Sequence, residues 1–346
     1  MANLSAKGAK QYAELQAAIA VSYGVPEPTQ MFAVEATIAQ ELNDAITARS
    51  DFLEKINVIM VTEIKGEKVF IGVNGPVTGR TNTKENDREP HDVSQLDNDQ
   101  YELFPTESDV ALPYATIDAW AKFPDFKDRY SAAVQKRIAQ DRIVVGFHGV
   151  SAATQTDRKA NPKLQDVNKG WLHQLREKVP HQVMKEGKVA GSGKVTMGKG
   201  GDYANLDTLV HDAVQLVDEN LREDGDLVAI IGSDLLAADK AKLYSAQGDT
   251  PTEKERIELA QVIATYGGKP AYSVPNFPSN AVLVTSFTNL SIYVQESSWR
   301  KQTVENPKRN RVEDYNSRNE GYVIEQLEKA ALIENVEVLP APEPEA

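Results

Sequence analysis

Residues Gly198 to Val210 read GKGGDYANLDTLV, a glycine cluster running directly into an amphipathic segment. Backbone N–H groups presented by such a turn at a helix N-terminus are the chemistry of a phosphate site. The spacing fails both common forms of it. A Walker loop places a glycine five residues ahead of its Gly-Lys pair and a Ser or Thr behind it, whereas Gly193-Lys194 has Lys188 and Val195 at those positions. A dinucleotide fingerprint has its third glycine where Tyr203 stands, and no acidic residue closes a following strand. The glycines then serve a turn, with Asp202 or Asn205 as cap of the next helix. Nucleotide binding by an enzyme through 191–202 is the competing reading.

No other constellation supplies chemistry. His91, His148, His173, His181 and His211 form no HExxH pair and no set with metal-ligand spacing. No Gly-x-Ser-x-Gly elbow presents a nucleophile. With zero cysteines, disulfides and thiolate sites are excluded. The expectation is no catalytic residue, no cofactor and no metal. Trp120, Trp171 and Trp299, with Phe123, Phe126 and Tyr130, are candidate platforms for stacking bases, but helical spacing favours core packing.

A net charge of −13 argues against a high-affinity nucleic-acid binder, because that affinity comes from Lys and Arg neutralising phosphates. The charge is unevenly placed. Glu85 to Asp109 holds nine acidic residues against Arg88 alone, while Arg158 to Lys199 holds ten basic residues against Asp166, Glu177 and Glu186. Such stretches are solvated faces, or complementary surfaces of neighbouring subunits. The 346 residues contain no apolar run long enough for a membrane span and begin without the apolar core of a secretory signal, so a cytoplasmic setting is expected.

The elements that would carry these residues follow from periodicity. Leu4, Tyr12, Leu15 and Ile19 mark one helical stripe, closed by Gly24, Pro26 and Pro28. Ala36 to Arg49 gives a second helix, and Lys68 to Val73 alternates as a strand ending in Asn74-Gly75-Pro76. Thr78 to Pro113 is polar, acidic and too long for an ordinary connection. Thr116 caps a short helix, and Asp125 starts the longest one, which Gly146 and Gly149 end. Further helices are expected at Asp202 to Leu221, from Ser233, and at Pro251 to Tyr266, closed by Gly267-Gly268. Leu227 to Ile231, Ala281 to Thr285 and Leu290 to Val294 read as strands, the last two joined around Asn289. The fold class is α+β.

Seven blocks, in order along the chain, resemble the major capsid proteins of peduovirus-type, P-two-like tailed bacteriophages. They are SDFLEKIN (Ser50 to Asn57), KGEKVFIGVNG (Lys65 to Gly75), Trp120-Ala121 with Asp125-Phe126, GFHGV (Gly146 to Val150), NPKLQDVNKGWL (Asn161 to Leu172), GKGGDYANLD, and NLSIY (Asn289 to Tyr293) with ENPKRNRVEDY (Glu305 to Tyr315). The resemblance implies a Hong Kong 97-type capsid fold and a division of the chain. Residues 1–31 would be an assembly segment removed by proteolysis, 32–52 an N-terminal arm, and 53–113 an extended loop. Residues 114–149 would form a peripheral domain with its spine helix, 150–295 an axial domain, 296–339 a return to the peripheral domain, and 340–346 a disordered tail.

It further implies a structural protein of the virion, forming pentamers and hexamers of an icosahedral head around double-stranded DNA, without sequence recognition and without a membrane. Its partners would be itself, an internal scaffold with a maturation protease, and a portal protein. Processing is expected around Met31 and Phe32. Contacts between subunits are expected through Val69, Phe70 and Ile71 and through Asp92, Asp97 and Asp99, the aspartates facing Lys159, Lys163 or Lys169. A tail tube or sheath subunit is the alternative within virion proteins.

Overall fold

The computed structural model describes residues 4–68, 78, 80–83, 85, 87–88, 100–123, 125–247 and 265–340. Among them the organising element is strand β15 (Arg311–Ile324), fourteen residues with both edges occupied. Along one edge run β13 (Leu290–Gln295) and β14 (Arg300–Asn306); along the other run β5 (Phe104–Glu107) and β6 (Val110–Pro113). Ser317 pairs with both Arg300 and Glu107, and Glu320 with both Val294 and Phe104, which sets the flanks on opposite sides. Each flank is one long strand with an interruption, and side chains replace the missing ladder bonds there. Ser298 Oγ accepts the Asn319 N–H at 3.1 Å, and the Asp109 carboxylate accepts the Asn316 N–H at 3.0 Å. β1 (Phe32–Ala33) on β14 and β2 (Asn57–Val61), parallel to β13, complete this first sheet.

The buried face of β15 is charged where a central strand is usually apolar. Asp314, Asn316, Arg318 and Glu320 are each at most 4% exposed. Over them lies α4 (Phe126–His148), at 23 residues the longest described helix, with α2 (Ala36–Thr47) beside it. Arg142 of α4 donates through Nε to Glu320 at 3.1 Å and through Nη2 to Asn43 of α2 at 2.8 Å. Arg318 donates to the same Glu320 carboxylate at 2.6 and 3.0 Å, and its guanidinium lies 5.0 Å from the Trp299 ring centroid. Burial opposes the charge on Glu320, but Arg318 and Arg142 outweigh it and hold the carboxyl below its usual range.

The second sheet runs β10 (Thr265–Tyr266), β11 (Lys269–Tyr272), β9 (Val228–Ile231), β12 (Val282–Thr285), β16 (Ala331–Ile333), β7 (Val183–Met184). Its outer face packs α6 (Leu206–Gln215) through Leu209, Val210 and Ala213. Its other face shares a core with α5 (Trp171–Lys178) and the first sheet. α7 (Ser233–Gln247) follows β9, and β8 (Val195–Met197) pairs with β17 (Val336–Val338). β3 (Lys65–Glu67) pairs with β4 (Gln100–Glu102), and α1 (Ala6–Tyr23) and α3 (Tyr114–Trp120) lie at the N-terminal end of α4.

Several expectations need correction. β12 and β13 are joined around Asn289 but lie in different sheets, and the chain crosses back between Ile324 and Ala331. Asn289 pins both crossings: its side chain donates to Thr285 Oγ1 and Gln326 O, and accepts the Gln326 N–H. Residues 290–295 therefore belong to the first sheet and 331–333 to the second, with 336–338 paired on β8, which moves the boundaries drawn at 295 and 339. Gly146 does not end α4 but lies inside it, because a Cβ there would meet the Trp171 ring at 2.2 Å. Gly267-Gly268 closes no helix; both φ are positive, 57° and 77°, and the pair turns the β10–β11 hairpin. The rest of the helix expected at Pro251 to Tyr266 lies outside the described residues. α3 starts at Tyr114 behind Pro113 rather than at Thr116, and α6 is shorter than Asp202 to Leu221.

Replacing Glu320 by Gln leaves Arg142 and Arg318 buried without a counter-charge. Denaturant unfolding of Glu320→Gln should show a loss of about 3–5 kcal/mol. A loss under about 1 kcal/mol would show that α4 does not depend on this cluster.

Candidate assembly surfaces

The N-terminal segment is fastened at two levels. Ser5 caps α1 by accepting the Gly8 N–H at 3.0 Å, and Gly24, at φ 62°, ends it. The stripe Tyr12, Leu15 and Ile19 is buried against Tyr114, Ile117 and Phe126, so the helix expected there forms and packs on the body. Burial of three such side chains is worth about 5–8 kcal/mol before ordering costs. Beyond Gly24 the chain is stitched to β14: Pro28 O accepts the Thr303 N–H at 2.9 Å, Thr29 O accepts from Gln302 at 2.8 Å, and Phe32 and Ala33 pair with Lys301 and Arg300. Met31 stands 52% exposed between these ties, and the Phe32 ring meets Tyr23 at 5.7 Å.

The extended loop is shorter than 53–113. Leu53 is fully buried, β2 belongs to the first sheet, and β5 and β6 line β15. Leu103 anchors the returning end: it is buried beside Tyr293 and Val323, and its N–H bonds Ile64 O at 2.9 Å. Between these roots rises the β3–β4 stem, closed by Lys65 Nζ on Glu102 at 2.6 Å. Val69, Phe70, Ile71, Asp92, Asp97 and Asp99 lie outside the described residues. Of their expected basic counterparts, Lys159 and Lys163 are exposed in the turn after α4, which Asp166 folds by accepting the Asp157 N–H at 2.6 Å. Lys169 lies 3.5 Å from Glu177.

At the glycine cluster, Gly191, Gly193, Gly198 and Gly200 all have positive φ, as a turn requires. Asp202 does not cap the next helix. Its carboxylate accepts from the Thr196 hydroxyl at 2.7 Å, the Thr196 N–H at 2.8 Å and the Lys188 N–H at 2.8 Å, clamping the segment before it. Asn205 makes the cap, in a reciprocal box with Thr208. An acceptor-only carboxylate that already engages the local N–H groups is the opposite of a phosphate cradle.

Trp171 and Trp299 are core residues, whereas Trp120 and Phe123 stay exposed at the α3–α4 junction, with Lys122 and Arg129 near the Phe123 ring. His148 meets Asn276 O, and His173 lies 3.5 Å from Glu177. His91 lies outside the described residues. Among those described, no His, Cys, Asp or Glu group could hold a metal, and no helix is long and apolar enough to cross a membrane. The charged cluster under α4 was missed by sequence reading. The sequence carries no signal of it: from Glu313 to Glu320 polar residues occupy both faces, Tyr315 apart, a run that reads as solvated.

A spine helix laid across a long sheet, a second sheet beyond it, and a loop and arm leaving the body define a phage capsid fold of the Hong Kong 97 type. The solved procapsid of satellite phage P4, which includes its size determination protein, superimposes with TM-score 0.79 at 38% identity, over 95% of this chain and 98% of that one. Residues 11–336 match the model for the phage major capsid protein, P2 family, and the chain belongs to that family. It is 40% identical over 320 residues to the capsid proteins of Escherichia phage P2, covering 90% of this chain and 88% of the relative. It is 35% identical over 312 residues to the major capsid protein of Serratia phage KSP20, covering 88% and 89%. The chain is thus a structural component of the virion, not an enzyme and not a tail subunit.

The Thr196 hydroxyl, then the N–H groups of Thr196 and Lys188, lower the Asp202 carboxyl from 3.8 to about 2. Because folding depresses this value, the stabilisation is complete above about pH 4 and is lost as the pH falls through 2. Asp202→Ala should lower stability by about 1–2 kcal/mol at neutral pH and flatten the loss between about pH 4 and pH 2. Thermal melts over that range test it; an unchanged acid profile would remove the clamp.

Proposed function

We propose that this capsid protein assembles into pentamers and hexamers that close into an icosahedral head around double-stranded DNA, in the cytoplasm of the bacterial host. The observation that carries the reading is the stem β3–β4. It leaves the first sheet from roots on two different strands, and thirty-two residues of sequence separate its two strands, Glu67 from Gln100. A closed ring is built from heterologous contacts, in which each subunit offers two different surfaces. The loop provides one and the body of the next subunit the other. Asp92, Asp97 and Asp99 meet Lys159, Lys163 or Lys169 across the junction, and Val69, Phe70 and Ile71 supply its apolar part. A scaffold, a portal protein and a maturation protease are the further partners, and DNA is held by enclosure. The P4 procapsid relative supports the scaffold assignment.

Co-expression with the scaffold, followed by sedimentation and electron microscopy, should give closed shells; folded chains that yield only small discrete oligomers would overturn the reading. Ile71→Asp should leave the melting temperature of the isolated subunit nearly unchanged while abolishing stable shells, since a lone hairpin contributes little to its own chain. A subunit that unfolds on this change would return the strand to its own core.

Residues 1–31 are, on the same reading, removed during maturation by a cut near Met31 and Phe32. Intact-mass measurement on purified virions should find a subunit starting close to Phe32. A mature subunit that retains Met1 to Gln30 refutes the removal.

A further inference from the structure

The attachment of α1 is lopsided. Its apolar grip is three buried side chains, Tyr12, Leu15 and Ile19, with Leu4 and Tyr23 partly buried beside them. Behind that grip a cleft of about 350 Å³ separates it from α2 and α4. The cleft is lined by Trp299, whose buried indole N–H has no hydrogen-bond partner among the described residues, and by the buried Lys301–Asp314 ion pair, 2.7 Å long. The polar grip is weaker still. Among the described residues a single point ties the helix end to the body, the Ser5 N–H and hydroxyl on Asp118 Oδ1 at 3.1 and 2.6 Å, exposed to water. The tether carries the remainder, through Pro28 and Thr29 on β14.

We infer that α1 is a latch, seated by its tether rather than by its own affinity, so that one cut between Gly24 and Pro28, ahead of the Pro28 and Thr29 ties, releases it and opens the seat on α3 and the first turns of α4. A tether this short holds its segment at an effective concentration on the order of millimolar. A helix with so narrow a buried face, once free to diffuse, gives up translational and rotational freedom on binding and dissociates with a constant on the order of 0.1 mM or weaker. The cut therefore moves the seat from almost always filled to almost always empty at micromolar protein. The seat itself survives the cut, because Phe32 and Ala33 stay paired with β14 and Val34 N–H stays bonded to Trp299 O at 2.8 Å. What is uncovered is an apolar strip of Tyr114, Ile117 and Phe126.

The inference rests on the proposed removal of residues 1–31 only for its biological occasion, since a cut near Phe32 must in addition free the Pro28 and Thr29 bonds, and its test does not use that cut. Full-length chain carrying a site-specific protease sequence in place of Val25, Pro26 and Glu27 is nicked in solution at low micromolar concentration. The helix fragment should separate on size exclusion. Hydrogen exchange at Tyr114 to Trp120 and Phe126 to Ile138 should rise roughly tenfold, while that of β12 stays constant. Synthetic peptide 4–24 at millimolar concentration should restore the protection. Leu15→Asp in the uncut chain should give the same rise with the fragment still attached. A fragment that stays bound through dilution to nanomolar, or one that leaves without faster exchange in α3 and α4, overturns the latch. Neither assembly nor a phage protease enters the readout, so its failure and that of the proposed shell are separate results.

Discussion

Glu320 is the residue on which most of this architecture converges. Two arginines from different elements meet on its carboxylate, Arg142 from α4 and Arg318 from its own strand, and all three are almost fully buried. An ion cluster of this kind seldom outdoes well-packed apolar residues in stability, since desolvation offsets much of the attraction. Its effect is on register. Sliding β15 by one residue would turn Arg318 and Glu320 to the opposite face and leave Arg142 buried opposite a neutral residue, an arrangement dearer than any apolar mismatch. The same cluster reaches the loop base, where Arg318 donates to Ser108 Oγ at 3.0 Å, and the arm, through Asn43. One register choice thereby fixes the spine helix, the arm and the root of the loop together.

The second constraint is how the two sheets are held to each other. The chain passes from second sheet to first at Ser286–Asn289 and returns at Glu325–Ala330, and the hydrogen bonds of Asn289 span both passages. The passages also share the core, because Trp171 donates to Ser291 O at 3.1 Å and packs edge-on against Tyr322 at 5.3 Å. Gly146 makes room for that ring. Rotation of one sheet against the other would have to break the Asn289 bonds and unpack Trp171 at once, so the body behaves as one piece.

Sequence made the helices and the apolar strands legible because their burial is written in side-chain type. Leu227 to Ile231 is apolar at every position and became β9; Tyr12, Leu15 and Ile19 repeat at helical spacing and became the buried edge of α1. β15 was illegible for the opposite reason. Its buried face reads Asp314, Asn316, Arg318, Glu320, and nothing local distinguishes charges satisfied by a helix 178 residues away in sequence from charges satisfied by water. The glycine pair at 267–268 carried a signal that two structures share, a helix stop or a hairpin turn, and only the partner strand decides between them. At the assembly surfaces the roots of the loop were misread because Phe104 to Pro113 looks too polar for a sheet, whereas strands paired on β15 need an apolar residue only where they meet a core, as Leu103 does.

The charge distribution bears on how an acidic subunit can pack against copies of itself. At physiological ionic strength the screening length is about 8 Å, so the net charge of −13 is felt between subunits mainly at grazing distance. What decides contact is the local balance. Glu85 to Asp109 carries a net −8, from nine acidic residues and one arginine, and Arg158 to Lys199 a net +7, from ten basic and three acidic. In the proposed ring, juxtaposing these two stretches would replace repulsion by attraction, while like stretches meeting like would be rejected. Exposed pairs of this kind add little affinity, but they penalise the wrong neighbour and speed encounter with the right one. For a shell that must close through many weak junctions, selection of orientation before burial is the more useful contribution, and it becomes weaker as salt rises.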